Sequence, residues 1–143
     1  MTGRIYYATP NEVPGPVGDS TGAKAIAGWL MAEVQYDVDY VDEILGMFAE
    51  ISSGKRKGGY LGTGNAYSVC ATRELVILEC EYVKSHQACL TMEQISAALK
   101  QYQTFLESDY RSPGFQPTPF SVDYLAEGEA ASDLYVERGG AFS

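Results

Sequence analysis

The sequence predicts an α+β fold, in which a small antiparallel sheet of three to four strands, built around a central hairpin, packs with two main α-helices. Three observations predict it: a helical stripe of apolar residues before residue 54, two adjacent alternating runs within residues 65–82, and a second helical pattern over residues 90–108. The 143 residues, 45% of them hydrophobic, have the size and composition of one domain with its own core.

The first elements are a short strand and a long helix. The run RIYYAT is β-prone, and residues 10–22 form a loop in which Pro and Gly disfavour any regular element. From about Ala23 the apolar residues recur at helical spacing, which predicts one continuous amphipathic helix that ends at SSGKRKGG. Its buried stripe is predicted to be Val34, Val38, Val41, Leu45 and Phe48.

Two strands and a second helix follow. The run NAYSVCAT alternates Tyr67, Val69 and Ala71 with Ala66, Ser68 and Cys70. The run LVILECEY places Val76, Leu78, Cys80 and Tyr82 on one face of a strand and Leu75, Ile77, Glu79 and Glu81 on the other. The short polar stretch between these runs predicts an antiparallel hairpin. The run LTMEQISAALKQYQTFLES predicts a helix, because Thr91 and Gln94 have the spacing of a capping box. Its buried stripe is predicted to be Ile95, Ala98, Leu99, Tyr102 and Leu106.

The composition changes after residue 108. The run YRSPGFQPTPF is rich in Pro, and the segment that follows it is acidic and weakly patterned. Residues 1–108 are therefore predicted to form a single α+β domain, and residues 109–143 an extended or partly disordered acidic C-terminal arm.

The charge of the chain narrows the range of its partners. Ten Lys and Arg against nineteen Asp and Glu give a formal net charge of −9. Nucleic acids and anionic membranes are bound by clustered Lys and Arg, so this balance argues against both as direct partners. It suits a basic protein partner, although many proteins are acidic for solubility alone.

Cysteine usage and the first residues predict a cytoplasmic protein. Cys70, Cys80 and Cys89 are odd in number and lack CxxC spacing, which predicts neither a disulfide framework nor a zinc ribbon. The first eighteen residues lack a basic start with an apolar stretch behind it, and no run approaches transmembrane length.

Residues suited to catalysis are sparse. The single histidine, His86, lies three residues before Cys89, but such a pair in a polar loop usually has no catalytic role. Asp39 and Asp42 can share a helix face, yet catalytic carboxylates need desolvation, and charges opposite a buried stripe are solvated. The run GKRKGGYLGTGN lacks the GK[ST] ending of a P-loop. The sequence predicts no catalytic residue, no metal site and no cofactor.

Residues 33–50 carry six carboxylates and no Lys or Arg, beside two tyrosines. Tyr provides rigid amphipathic contact area, and neighbouring carboxylates complement Arg and Lys on a partner. The alternative is a soluble helix whose tyrosines pack partly into the core. The candidate partner-binding residues are Glu33, Tyr36, Asp37, Asp39, Tyr40, Asp42 and Glu43.

Three segments in this order, GWLMAEVQYDVDYVDEIL, GNAYSVCATRELVILECEY and LTMEQISAALKQYQTFLES, resemble small immunity proteins of bacterial contact-dependent growth inhibition and related polymorphic-toxin systems. Those proteins pair a Trp-containing acidic helix with a GNA hairpin strand and a final helix that ends in an aromatic–Leu pair. The resemblance covers roughly residues 28–107. The matching residues are Trp29, Glu33, Asp37, Gly64, Asn65, Ala66, Glu79, Phe105 and Leu106.

The resemblance implies a cytoplasmic immunity protein, or antitoxin, that binds the C-terminal domain of one cognate toxin and occludes its active site. Such toxins are often nucleases with basic substrate grooves, which an acidic, tyrosine-bearing surface complements. Two other interpretations stay open. A small hydrolase would use the Asp and Glu cluster, and a general acidic adaptor protein would need no catalytic group.

Overall fold

The computed structural model describes residues 1–9 and 13–143, and within them the chain forms eight β-strands and four α-helices. The strands are β1 (Thr2–Ala8), β2 (Gly15–Gly18), β3 (Gly59–Thr63), β4 (Tyr67–Ala71), β5 (Leu75–Cys80), β6 (Gln87–Thr91), β7 (Phe120–Asp123) and β8 (Ala126–Glu127). The helices are α1 (Thr21–Trp29), α2 (Val38–Ser53), α3 (Met92–Leu106) and α4 (Glu129–Glu137), with a π-helical turn at Leu30–Val34.

The strands form two antiparallel sheets. One sheet has three strands in the order β2-β1-β7, and the other has five in the order β3-β4-β5-β6-β8. The predicted α+β class with an antiparallel sheet is confirmed, whereas the predicted three to four strands and two main helices are too few. The predicted hairpin is β4–β5, in which Tyr67 lies opposite Cys80 and Ala71 lies opposite Val76.

The loop predicted for residues 10–22 contains a strand. β2 pairs with β1, from Ile5 opposite Gly18 to Ala8 opposite Gly15. It lies at the edge of its sheet, where Pro16 is tolerated because no outer strand needs the N–H that proline lacks. Residues 10–12 of the predicted loop lie outside the described residues.

The single helix predicted from about Ala23 is divided into two. Ser20 caps α1 by accepting a hydrogen bond from the Ala23 amide at 3.2 Å, and α1 then widens into the π-helical turn. The chain leaves this turn through Gln35, whose φ of 59° lies in the left-handed region. A new cap at Asp37 then begins α2.

This break changes which side of α2 is buried. Val38 and Leu45, two of the five residues of the predicted stripe, are only half-buried, so the prediction is wrong for them. Because α2 begins anew at its own cap, its phase differs from that of one continuous helix. The buried residues of α2 are Val41, Ile44, Phe48 and Ile51.

The segment after residue 108 is built into both sheets. β7 pairs with β1, β8 pairs with β6, and α4 follows β8. The prediction of an extended or partly disordered arm is therefore wrong for residues 120–137. Between α3 and β7, residues 107–119 consist of turns and irregular chain.

Apolar side chains are buried on both faces of the five-stranded sheet. The main core lies on one face, where Val76, Leu78 and Leu90 pack with residues of α1, α2 and α3. The second core is smaller and lies between the other face and α4. It consists of Cys70, Leu75, Ile77, Cys89, Ala126, Ala131 and Tyr135. β5 contributes to both cores because successive side chains of a strand point to opposite faces.

Candidate functional site

A groove of about 280 Å³ lies between α2 and the β3–β4 hairpin. Its helical side is lined by Trp29, Glu33, Tyr40, Ile44, Met47 and Phe48. Its other side is lined by residues 61–64 of β3 and the following turn, together with two residues of β4. The groove is therefore largely apolar and aromatic, and Glu33 is the one charged side chain in its described lining.

Glu33 closes this groove at the turn between β3 and β4. Its carboxylate accepts hydrogen bonds from the backbone amides of Asn65 at 2.6 Å, Tyr67 at 3.0 Å and Ala66 at 3.4 Å. The side-chain amide of Asn65 donates to the Ala32 carbonyl at 2.8 Å. Hydrogen bonds from backbone amides to an ionised carboxylate are stronger than neutral ones, so Glu33 fixes the turn against the helices.

Gly64 allows this contact because it has no side chain. A Cβ at position 64 would lie 2.3 Å from a carboxylate oxygen of Glu33, well inside van der Waals contact. Glu33, Gly64, Asn65 and Ala66 thus meet at one turn. Most of the hydrogen-bonding capacity of the Glu33 carboxylate is used within its own chain.

Two further candidate residues stabilise the start of α2. Asp37 is the N-cap and accepts a hydrogen bond from the Tyr40 amide at 3.1 Å. Tyr36 donates its hydroxyl to the Pro14 carbonyl at 2.9 Å, and its ring stacks on Tyr110 with the two centroids 5.5 Å apart. Burial raises the pKa of the Tyr36 hydroxyl. Both residues therefore contribute to the fold of their own chain.

The remaining candidate residues lie on α2 but on different sides of it. Asp42 faces α3, where it accepts a hydrogen bond from the Gln103 side-chain amide at 2.8 Å. Asp39 and Glu43 are exposed, and their carboxylates form no hydrogen bond with any described residue. Tyr40 is 39% exposed and lines the groove.

The structure thus brings some candidate residues together and separates others. Glu33 and Tyr40 line the groove, whereas Tyr36 and Asp42 pack elsewhere. Successive residues of a helix are rotated by about 100° about its axis. Around α2, Glu43 therefore lies beside the groove residue Met47, and Glu50 and Asp39 lie just beyond Glu43 on the same side. We refer to the exposed carboxylates of α2 on this side as the acidic rim: Asp39, Glu43 and Glu50.

The site predicted from the sequence does not include the apolar residues that line the groove. Ile44 and Met47 follow Tyr40 at intervals of four and three residues, so the sequence does contain a signal for this second apolar stripe. The side formed by β3 has no comparable signal, because GYLGT is short and rich in Gly. β3 also bulges between Tyr60 and Gly62, which interrupts the alternation expected of a strand.

His86 and Cys89 lie in different environments. Cys89 is buried in the second core, and burial raises the pKa of its thiol to about 11. A thiol with this pKa is almost wholly protonated near neutral pH and is a poor nucleophile. His86 lies in the turn before β6, where its backbone bonds to Val83 and Cys80. Within residues 1–9 and 13–143, no three His, Cys, Asp or Glu side chains converge to hold a metal ion.

Comparison of the chain with known protein families, curated proteins and solved structures finds no match. No helix in the described part of the chain is long and apolar enough to cross a lipid bilayer.

Proposed function

We propose that this chain is an immunity protein that acts in the cytoplasm. It binds the C-terminal domain of a cognate toxin and neutralises that toxin by covering its active site. The observation that carries the proposal is the acidic rim beside the groove. Three exposed carboxylates and the exposed ring of Tyr40 lie next to an apolar groove, on a helix that contains no Lys or Arg.

A basic partner fits this surface. Exposed carboxylates on one side of a helix repel one another weakly, and their energy falls when Lys or Arg of another chain approaches. The net charge of −9 also accelerates encounters with a positively charged protein. A nuclease toxin binds phosphates through a basic groove, so the acidic rim would exclude nucleic acid from it by charge complementarity.

The resemblance to immunity proteins supports the same function. Four of the residues that carry it build the Glu33 turn at one end of the groove. The acidic rim contains none of them. The positions that carry the resemblance thus stabilise the fold, whereas the residues of the acidic rim can differ between proteins that bind different toxins.

A hydrolase is supported less well. Paired acid and base carboxylates must share a desolvated pocket that separates their pKa values. Here Asp37 caps a helix, Asp42 bonds Gln103, and Glu33 bonds three backbone amides, so these carboxylates have separate structural partners. Binding therefore explains the acidic segment better than hydrolysis does.

The first test asks whether the gene beside the one for this chain encodes a toxin domain, and the second pairs that domain with this chain. Expression of the chain should protect cells from growth inhibition by that domain, and the two purified proteins should bind. Asp39→Lys combined with Glu43→Lys should weaken binding by about tenfold, slow association and reduce its dependence on salt, because rim charges act mainly on steering. Titrations at two salt concentrations measure these effects.

Asp133→Lys combined with Glu137→Lys is the matched control. It also reverses two exposed carboxylates four residues apart, but on α4. This variant should bind like the parent, and equal affinities of the two double variants would contradict the assignment of the rim. Absence of both binding and protection would contradict the proposed function, whereas binding without protection would favour an adaptor.

A further inference from the structure

We propose that the groove between α2 and β3 receives the side chain of one arginine of the basic partner. This inference rests on the proposed function, because it names the residue that anchors the partner beside the acidic rim. The lining and the charge of the groove point to this occupant, and its open side admits it.

The groove is slightly smaller than most small-molecule sites and is open on its β3 side. Sites for small molecules usually enclose about 300–1,000 Å³, and this groove encloses about 280 Å³. Gly62 and Gly64 lie in its β3 side, where the absence of side chains keeps the wall low. A Cβ added at Gly62 would meet no atom within 4 Å, so this side opens outward. The open space at Gly62 leaves room for a residue of another chain to approach the groove from this side.

The lining suits a flat cation with an apolar stem. Met47 and Leu61 offer aliphatic surface for the methylene groups of an arginine. Tyr40 is 39% exposed and offers ring surface, whereas Trp29 is buried beneath the groove. A planar guanidinium stacks on an aromatic ring better than an ammonium does. The groove therefore favours Arg over Lys.

Glu33 gives the groove a negative end. Its three backbone amide donors occupy three of the roughly four lone-pair positions of a carboxylate, which leaves one position for a guanidinium N–H. Glu43 of the acidic rim adds a second negative charge nearby. The basic residues Lys55, Arg56 and Lys57 follow α2, at the end away from Tyr40, and do not line the groove. A cation is therefore directed towards Glu33.

The first test is an NMR titration of the full chain with N-acetyl-arginine N-methylamide. The lysine and citrulline analogues are the controls, since citrulline keeps the shape of arginine but lacks its charge. We expect the arginine probe to shift the amide resonances of Gly62 and Gly64 and the indole resonance of Trp29. The lysine probe should bind about fivefold more weakly, because it lacks the planar group that stacks. Unshifted groove resonances, or equal shifts with all three probes, would overturn the inference.

Met47→Trp fills the groove from its α2 side. It should abolish the shifts caused by the arginine probe and weaken toxin binding. Leu45→Trp is the matched control, because Leu45 lies on the other side of α2, beside α3, and it should change neither result. Should Met47→Trp fail to fold, Tyr40→Ala removes an exposed stacking ring and should weaken the arginine probe several-fold.

The two proposals fail in distinguishable ways. Normal toxin binding by Met47→Trp, together with weak binding by the Asp39→Lys and Glu43→Lys double variant, would overturn the arginine anchor and keep the proposed function. Absence of toxin binding by the parent chain would overturn the proposed function, whatever the arginine probe does.

Discussion

The two faces of the five-stranded sheet are covered in different ways. The face that carries Val76 and Leu78 packs in the main core with α1, α2 and α3. The opposite face, which carries Ile77, is covered by α4, a helix of nine residues in which Ala131 and Tyr135 are buried. A face of a sheet can thus form part of a hydrophobic core even where the sequence does not predict the helix that covers that face.

Neighbouring substitutions on β5 compare the two faces directly. Ile77→Ala and Leu78→Ala each remove a fully buried side chain, the first from the second core and the other from the main core. Each should lower the free energy of unfolding by about 2–5 kcal/mol, through lost burial and a residual cavity. Urea unfolding measures both. If Ile77→Ala alone costs less than about 1 kcal/mol, α4 does not form a core with the sheet.

Thiol reactivity tests whether the second core stays closed. Burial raises the pKa of both Cys70 and Cys89 to about 11, from an ordinary value of 9.0. The thiolate is therefore about 100-fold rarer than in an exposed cysteine, and alkylation by iodoacetamide at pH 8 should slow by at least that factor. Mass spectrometry follows the modification, and labelling in urea gives the unprotected rate. Rapid labelling of both cysteines in the folded protein would show that α4 opens readily.

A substitution at the edge of the main core should lower the free energy of unfolding less than one inside it. Leu99 is fully buried, whereas Leu45 is half-buried where α2 meets α3. Leu99→Ala should destabilise by about 2–5 kcal/mol, and Leu45→Ala by only about 1 kcal/mol. Equal shifts of their urea midpoints would mean that α2 is turned differently about its axis.

Substitution of Glu79 should change stability the least. This residue lies at the margin of the sheet face that α4 covers. Burial and the neighbouring Glu81 carboxylate raise the pKa of Glu79 above its ordinary value of 4.5. The folded state thus prefers the protonated form, and stability falls as pH rises through the interval above 4.5. Glu79→Gln should therefore raise the melting temperature slightly at pH 7, and this gain should disappear below pH 4.5.

Glu137→Gln is the control for the change in net charge, because Glu137 is exposed on α4. It should leave the melting temperature nearly unchanged at both pH values. A lower melting temperature for Glu79→Gln at pH 7 would show that hydrogen bonds stabilise the Glu79 carboxylate in the folded state.

Local signals explain which parts of the fold the sequence predicts. The hairpin β4–β5 shows clear alternation, and α3 begins with the predicted capping box, in which Thr91 and Gln94 bond each other's backbone amides. α4 lacks such signals, since Gly128 caps it without a side-chain hydrogen bond and only Ala131 and Tyr135 of its nine residues are buried. Four consecutive apolar residues in β5 do indicate a strand covered on both faces, but not what covers the second one.

The candidate site depends on contacts that no local pattern contains. The sequence identifies the carboxylates of residues 33–50 but does not show which of them bind their own chain. Glu33 finds its donors at Asn65 and its neighbours, more than thirty positions away, and Asp42 finds Gln103 across the α2–α3 interface. Contacts between residues distant in sequence determine which carboxylates form no hydrogen bond within the chain. The acidic rim therefore cannot be identified from the sequence alone.

The pairing of β1 with β7 places Thr2 opposite Asp123, so the three-stranded sheet cannot close until most of the chain has been synthesised. Translation adds about 5–20 residues per second, so about 2–9 s pass between the last residue of β6 and the end of α4. Until α4 has been made, the apolar strip of β5 and β6 lacks the helix that covers it. Chaperone supply and codon speed after Thr91 should therefore govern how much of the protein escapes aggregation in the cell.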